Sequence, residues 1–213
     1  MKILVTGFEP FNGSTVNPSE QILHRLTAAE GVTMIKTVLP VEFRKTTDML
    51  KELIEKHRPD VVLSIGQAGG RAEISVERVA VNIDSVKSSN GKKLLPDNAG
   101  DMPVDESIVP DGPAAYFATL PLWKLVEAIQ EKGIHAAISN TAGTYVCNHV
   151  MYVCLHLAAE YPQMKAGFIH VPFLPEQIAH REDRHRLAAM PLEDMVTALQ
   201  AALDALVSGW TPA

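Results

Sequence analysis

Residues 60–71 read DVVLSIGQAGGR, a short apolar run followed by a glycine-rich turn. A run of this length that ends at glycine is typical of a strand buried on both faces. On its N-terminal side, Phe43–His57 carries apolar residues three and four positions apart, which predicts an amphipathic helix. On its C-terminal side, Ile74–Ile83 alternates between apolar and polar residues, which predicts a strand with one exposed face. The order helix, strand, turn, strand indicates an α/β protein.

The same alternation of strands and helices continues in both directions along the chain. We predict further strands at Lys2–Val5, Val32–Val41, Ala136–Ser139 and Ala166–Val171, and further helices from Pro18 to about Ala29 and at Leu122–Glu131, Cys147–Tyr161 and Leu192–Val207. This order favours a largely parallel central sheet covered by helices on both faces. Residues 84–112 lack periodicity and are predicted to be a long loop insertion.

Composition excludes several classes of protein. Apolar residues make up 46% of the 213 residues, charged residues 21%, and the net charge is −6, so the chain has no basic excess for nucleic acid. Its apolar runs are shorter than the ~18 residues that span a membrane, and no secretory signal is evident. Two cysteines cannot form a disulfide framework. We therefore expect one cytoplasmic domain over residues 1–213 that binds neither nucleic acid nor membrane.

Four loops follow predicted strands, at residues 7–17, 66–71, 140–147 and 171–177. Ligands of α/β sheets bind beyond the carboxyl ends of the strands, so these loops are expected to converge. The first loop resembles a dinucleotide-binding turn, but Pro10 has no N–H where backbone would approach a pyrophosphate. No nucleotide cofactor is predicted.

Cys147 follows a turn of small residues and begins a predicted helix. Free N–H groups and the helix dipole favour a thiolate there, and the same groups suit an oxyanion. A cysteine is equally well a small buried apolar residue, and local sequence leaves both interpretations open. For Cys154, inside the helix, we predict packing alone.

The pairs Cys147-x-His149 and Cys154-x-His156 suggest a metal site at first sight. At about 100° per residue, the cysteines share one helix face and the histidines lie roughly opposite. These four side chains cannot close on one ion, so no metal is predicted.

A thiolate nucleophile needs a base and an orienting acid. His170 ends an apolar strand, so it is either a satisfied core histidine or a catalytic one, and its place at the end of the sheet favours catalysis. Glu77 lies on another predicted strand. It is either the orienting acid or an ordinary exposed glutamate, and local pattern leaves that open.

Taken together, the segments around these residues resemble the pyroglutamyl peptidase I (pyrrolidone carboxyl peptidase) family of cysteine peptidases. They stand in unbroken order as GFEPFNG (7–13), NPS (17–19), GQAGGR (66–71), ERVAVN (77–82), LPDNAG (95–100), YFATLP (116–121), SNTAGTYVCNHVMY (139–152) and GFIHVPFLPEQ (167–177).

The resemblance implies a three-layer α/β/α sandwich with a mostly parallel, twisted sheet, no cofactor, and commonly a cytosolic tetramer. It implies hydrolysis of the amide bond after an N-terminal pyroglutamyl residue, through a thioester, in pyroglutamyl peptides. The implied triad is Cys147, His170 and Glu77. The implied substrate pocket uses Phe8, Phe11, Asn17 and Gln67.

One segment departs from the family pattern. The family carries a D-A-R-I-P-D-N-like segment whose arginine helps to line the active site, and Leu94 stands where that arginine is expected. Lys87, Lys92 and Lys93 are candidates to replace it, although lysine lacks the planar fork of arginine. The missing arginine motivates one alternative, a pyroglutamyl-binding relative without turnover. A nucleoside phosphorylase or hydrolase is a second, supported by fold analogy alone.

Overall fold

The computed structural model of the chain describes residues 1–87 and 94–210. Its strands are β1 (Lys2–Phe8), β2 (Thr33–Leu39), β3 (Val61–Gln67), β4 (Ile74–Glu77), β5 (Val79–Val81), β6 (Ala115–Phe117), β7 (Ala136–Ser139) and β8 (Lys165–Val171). Its helices are α1 (Pro18–Arg25), α2 (Phe43–His57), α3 (Leu122–Gln130), α4 (Val146–Glu160), α5 (Pro175–Ile178) and α6 (Leu192–Ser208), with a 3₁₀ turn at Arg184–Arg186.

Six strands form the central sheet in the order β2-β1-β3-β8-β4-β7. All neighbours are parallel except β4 and β8, which are antiparallel. The reason lies in the short connection from β3 to β4, since a parallel return needs a crossover of a dozen or more residues. The prediction of a mostly parallel α/β sheet is confirmed, but β4 and β7 run opposite to the other four strands.

Alternate residues of the strands feed two separate cores, one on each face of the sheet. Ile3, Val5 and Ile65 pack with side chains of α1, α3 and α6. Leu4 and Phe168 pack on the other face with side chains of α2 and α4. The period-two alternation of the strands thus produces three layers, as the resemblance implied.

Two strand predictions were wrong in detail. The expected strand Ile74–Ile83 breaks at Arg78, and its second half pairs with β6 in a separate two-stranded antiparallel sheet. Strand β1 continues through Gly7 to Phe8, beyond the predicted end at Val5. A Cβ at Gly7 would lie 2.7 Å from the carbonyl oxygen of Ser19, so glycine here permits α1 to approach the strand closely.

Among the helices of the described residues, none combines the length and apolar character needed to cross a membrane.

Candidate active site

A buried carboxylate and imidazole form the centre of the site. Glu77 at the end of β4 is fully buried, and His170 on the neighbouring β8 is 3% exposed. Nδ1 of His170 lies 2.7 Å from Oε1 of Glu77. The antiparallel register pairs Ser75 with His170 and Glu77 with Phe168, so the two side chains reach each other across adjacent strands. Glu77 is therefore a buried partner of His170 rather than an exposed strand residue.

This contact fixes the tautomer of the imidazole. An ionised carboxylate only accepts hydrogen bonds, so Nδ1 of His170 carries the hydrogen and donates it to Glu77. Nε2 of a neutral His170 is then left with a lone pair. A ring nitrogen in that state can accept a proton.

Arg71, in the glycine-rich turn after β3, holds the same carboxylate oxygen that His170 contacts. Its Nη1 donates to Oε1 of Glu77 at 2.5 Å, and its Nη2 donates to the carbonyl oxygen of Thr141 at 2.8 Å. One guanidinium thus joins the turn after β3, the acid on β4 and the loop after β7. The planar fork of arginine suits two such acceptors.

Cys147 lies on the same face of the sheet as His170. Gly66 on β3 is the register partner of His170 on β8, so the two residues direct their Cβ positions to one face. A Cβ added to Gly66 would lie 2.9 Å from Sγ of Cys147 and 2.7 Å from the ring of Phe168. The thiol therefore occupies the space above Gly66, beside the strand that carries the imidazole.

The first turn of α4 presents Cys147 with free backbone donors. Helix α4 begins at Val146, and its N-cap residue Tyr145 supplies no side-chain cap. The first N–H groups of a helix have no intrahelical acceptor, which leaves the N–H of Cys147 able to bind a developing oxyanion. Asn148 anchors this turn, because its amide accepts from the N–H of Val81 and donates to the carbonyls of Val81 and Ile83.

Burial controls the protonation states of this group. Burial raises the pKa of the Cys147 thiol to about 12, with a further increase from the charge of Glu77 and an opposing decrease from Arg71. Burial also lowers the pKa of His170, against the hydrogen bond and charge of Glu77, which raise it. Burial therefore opposes the thiolate that the helix terminus favours, and it opposes the imidazolium as well.

Burial acts in the opposite sense on Glu77, whose pKa it tends to raise. The hydrogen bond and charge of His170, the nearby Ser139 hydroxyl and the charge of Arg71 more than offset it, so the pKa of Glu77 lies below its usual value. Glu77 stays ionised near neutral pH. It therefore remains the acceptor for His170 throughout that range.

All four predicted pocket residues line one small cavity together with the nucleophile candidate. The cavity has a volume of about 30 Å³ and is lined by Phe8, Phe11, Asn17, Val41, Gln67, Tyr145, Val146 and Cys147. Phe8 packs against Phe168 with ring centroids 6.3 Å apart, and Phe11 against Tyr145 at 6.2 Å. The structure thus brings the aromatic residues of the first loop to the cysteine.

Asn17 is held by the protein itself. Its Oδ1 accepts from the N–H and hydroxyl of Ser19, and its Nδ2 donates to the carbonyl oxygen of Glu9 at 2.9 Å. It is the N-cap of α1. These contacts hold Asn17 in the first loop, where it lines the cavity.

The segment that departs from the family pattern contributes no observed group to the triad. Leu94 is 51% exposed, Lys87 is also exposed, and Lys92 and Lys93 lie outside the described residues. The guanidinium that does reach the triad belongs to Arg71, which sequence reasoning missed. Its signal was its place at the end of the glycine-rich turn GQAGGR, which we treated only as a loop.

The histidines once considered with the cysteines have other partners. Nδ1 of His149 lies 2.8 Å from Oδ2 of Asp84, and its Nε2 lies 2.5 Å from the hydroxyl of Thr47. His156 pairs with Tyr116. In residues 1–87 and 94–210 no group of three His, Cys, Asp or Glu side chains is arranged to hold a metal ion.

A three-layer sandwich with a cysteine, a histidine and a buried carboxylate at one end of its sheet has the features of a cysteine hydrolase. Comparison with known proteins identifies the family within this class. The sequence profile described as pyroglutamyl peptidase matches residues 1–208. The chain is 48% identical over 209 residues to the pyrrolidone-carboxylate peptidase of Thermosipho africanus, covering 97% of each chain, and 46% identical over 209 residues to that of Levilactobacillus brevis, covering 97% of this chain and 98% of the other.

Solved structures agree with this assignment. The crystal structure of Bacillus amyloliquefaciens pyroglutamyl peptidase I superposes with a TM-score of 0.89 at 39% identity, covering 97% of each chain. A mutant pyrrolidone carboxyl peptidase from Pyrococcus furiosus superposes with a TM-score of 0.91 at 40% identity, covering 99% of this chain and 100% of the other. The chain belongs to the pyroglutamyl peptidase family of cysteine hydrolases.

Proposed function

We propose that this chain removes N-terminal pyroglutamyl residues with Cys147 as nucleophile, His170 as general base and acid, and Glu77 as orienting acid. The observation that carries the proposal is the buried Glu77–His170 pair on the face where Sγ of Cys147 covers Gly66. Residues 1–213 act as one catalytic domain in this proposal, with the 84–112 loop as an insertion.

The first half-reaction forms a thioester. Nε2 of His170 takes the thiol proton while Sγ of Cys147 bonds to the pyroglutamyl carbonyl carbon, giving a tetrahedral oxyanion. The backbone N–H of Cys147 donates to that oxyanion. The carbon–nitrogen bond then breaks, and the proton on His170 passes to the leaving amine, which departs as the shortened peptide.

The second half-reaction regenerates the protein. His170, neutral again, takes a proton from a water molecule whose oxygen attacks the thioester carbon. The sulfur–carbon bond breaks, the proton returns to Sγ of Cys147, and free pyroglutamate leaves. Glu77 keeps the imidazole in one tautomer and stabilises its positive charge at both stages, while Arg71 fixes Glu77.

The lactam ring is recognised beside the cysteine by Phe8, Phe11, Asn17 and Gln67, with Gln67 supplying a polar contact. At about 30 Å³ the cavity is far smaller than the roughly 300–1,000 Å³ of ordinary ligand pockets, so substrate entry requires a side chain to move. Phe11 is the best placed to do so, because it is only partly buried and belongs to the loop after β1. Its movement would open the pocket from the solvent side.

The decisive test is hydrolysis of a pyroglutamyl-anilide with and without prior thiol alkylation. We expect release of the aniline by the untreated protein and its loss after stoichiometric alkylation of Cys147. Alkylation of Cys147 in a protein that binds pyroglutamate yet releases no aniline would favour the relative without turnover. Family membership argues against that alternative.

We propose a cytoplasmic homotetramer that needs no cofactor and binds neither nucleic acid nor membrane. Both cysteines are free thiols, and the net charge of −6 disfavours nucleic acid. The large apolar side chains of Phe117 and Trp123 are 71% and 64% exposed, which suits burial between subunits. Light scattering in solution tests the assembly: a tetramer mass is expected, and a monomer mass would contradict it.

A further inference from the structure

Gln177 follows the catalytic strand β8 and lies in the short helix α5. Its Oε1 accepts from the backbone N–H of Leu174 at 2.8 Å, and its Nε2 donates to Oε1 of Gln67 at 2.9 Å. The same Nε2 lies 3.4 Å from the hydroxyl of Ser14 and 3.3 Å from the carbonyl oxygen of Val16. One amide thus joins the start of α5, the end of β3 and the first loop.

A chain of donors and acceptors fixes both amide groups. A backbone N–H can only donate, so the atom of Gln177 that faces Leu174 must be its oxygen. Its nitrogen then faces Gln67, and a nitrogen that donates there requires the oxygen of Gln67 as acceptor. The orientation of the Gln67 amide therefore follows from a backbone group two contacts away.

The consequence concerns the cavity beside Cys147, which Gln67 lines. With its oxygen held by Gln177, Gln67 has its amide nitrogen left, and that nitrogen has no hydrogen-bond partner among the described residues. The polar group offered to a ligand is then a donor. A lactam carbonyl oxygen is the acceptor on a pyroglutamyl ring that such a donor fits.

We propose that Gln177 is a positioning residue for substrate specificity: it fixes the Gln67 amide so that its N–H groups meet the lactam carbonyl of the pyroglutamyl ring. The inference rests on the proposed function, because it takes the cavity beside Cys147 as the ring site. It adds a residue that does not line the cavity yet determines what the cavity accepts.

The substitution Gln177→Glu removes the hydrogen bond from Gln177 to Gln67. The carboxylate still accepts from Leu174 but cannot donate to Gln67, whose amide is then free to turn. With one neutral hydrogen bond worth about 1 kcal/mol and each 1.4 kcal/mol a factor of ten, we expect roughly a fivefold rise in KM and in the inhibition constant of 2-pyrrolidone. The value of kcat should change by less than the value of KM. Gln130→Glu, which removes a side-chain donor to the Ala136 carbonyl, is the matched control.

A double-mutant cycle separates positioning from a structural role. In a Gln67→Met background, Gln177→Glu should have no further effect on 2-pyrrolidone affinity, because the amide through which Gln177 acts is gone. An equal loss of 2-pyrrolidone affinity in both backgrounds would overturn the proposal. A fall in kcat with unchanged affinity would also overturn it, because Gln67 would then act on the oxyanion rather than on the lactam ring. If Gln177→Glu unfolds, Gln177→Met is tested in the same cycle.

Titration of 2-pyrrolidone by NMR gives an affinity without turnover. Wild-type protein that binds 2-pyrrolidone but cleaves no pyroglutamyl-anilide would refute the proposed function and leave the role of Gln177 measurable. An unchanged affinity in Gln177→Glu, with wild-type cleavage intact, would refute only the role of Gln177.

Discussion

Sγ of Cys147 lies in the space that a side chain at Gly66 would need, 2.9 Å from the position of a Cβ there. Gly66 is also the register partner of His170, so the absence of a side chain on β3 is what allows the thiol to lie beside the imidazole's strand. The geometry of the site therefore depends on a residue that has no chemical group of its own.

Gly66→Ala is expected to displace the thiol and lower kcat/KM more than tenfold, because its Cβ overlaps both Sγ and the ring of Phe168. Overpacking of this kind costs about 1–3 kcal/mol of stability. Thermal unfolding and anilide hydrolysis measure the two effects. In a Cys147→Ala background the stability loss should shrink, since one of the two overlaps is removed. Wild-type activity in Gly66→Ala would show that the thiol lies elsewhere.

Glu77→Gln tests the orienting acid. Nη1 of Arg71 and Nδ1 of His170 both donate to Oε1 of Glu77, so a Gln oxygen at that position keeps both contacts as a neutral acceptor but no longer stabilises the positive imidazolium. We expect kcat to fall by about 10²–10⁴, the usual contribution of general acid–base catalysis, with a smaller change in KM. Glu73→Gln, at an exposed position beside the same strand, is the control. Equal steady-state constants in the two variants would exclude Glu77 from the triad.

Arg71→Gln tests the electrostatic role of the guanidinium. Arg71 lowers the pKa of His170, so its removal should raise that pKa and move the acid limb of kcat/KM to higher pH. Arg71 also lowers the pKa of Cys147, so thiol alkylation should require a higher pH in the variant. The pKa of His170 and the pKa of Cys147 are therefore both expected to rise in the variant. Arg44→Gln is the control, because the Arg44 side chain is 88% exposed. In Arg71→Lys, both pH shifts should lie between those of the wild type and of Arg71→Gln.

A pH profile that stays in place in Arg71→Gln, even with lower activity, would show that Arg71 is only structural. A shift of the acid limb to lower pH would contradict the expected rise in the pKa of His170.

The sequence alone was sufficient to predict the bounds of helices and strands whose apolar pattern is local. Helix α2 begins and ends where the apolar spacing predicted, and β7 has its predicted bounds, because burial on one stripe or in a short run decides both. The break at Arg78 was not predictable from alternation, which continues across it. It depends on β5 pairing with β6, a strand of three residues about 35 positions further on.

In the candidate site, too, local sequence identifies some of the residues but not the contacts between them. Cys147 and His170 stand out locally, as a cysteine at a helix start and a polar residue at the end of an apolar strand. The contact of Glu77 with His170 and the amide contact of Gln177 depend on segments distant in sequence. The ion pair of Arg71 with Glu77 is close in sequence, but it depends on the conformation of the turn before β4, which no periodic pattern predicts. Desolvation of the thiol is likewise a property of packing, which the local sequence around Cys147 does not show.

The central claim is that Cys147 carries the pyroglutamyl group as a thioester. Acid quenching during turnover of a pyroglutamyl-anilide, followed by digestion and mass spectrometry, tests it directly, with Cys147→Ser and Cys154→Ser as the pair of variants. We predict a pyroglutamyl adduct on the peptide segment that contains Cys147 in the wild type and in Cys154→Ser, and neither adduct nor turnover in Cys147→Ser. Unimpaired turnover by Cys147→Ser would contradict the account.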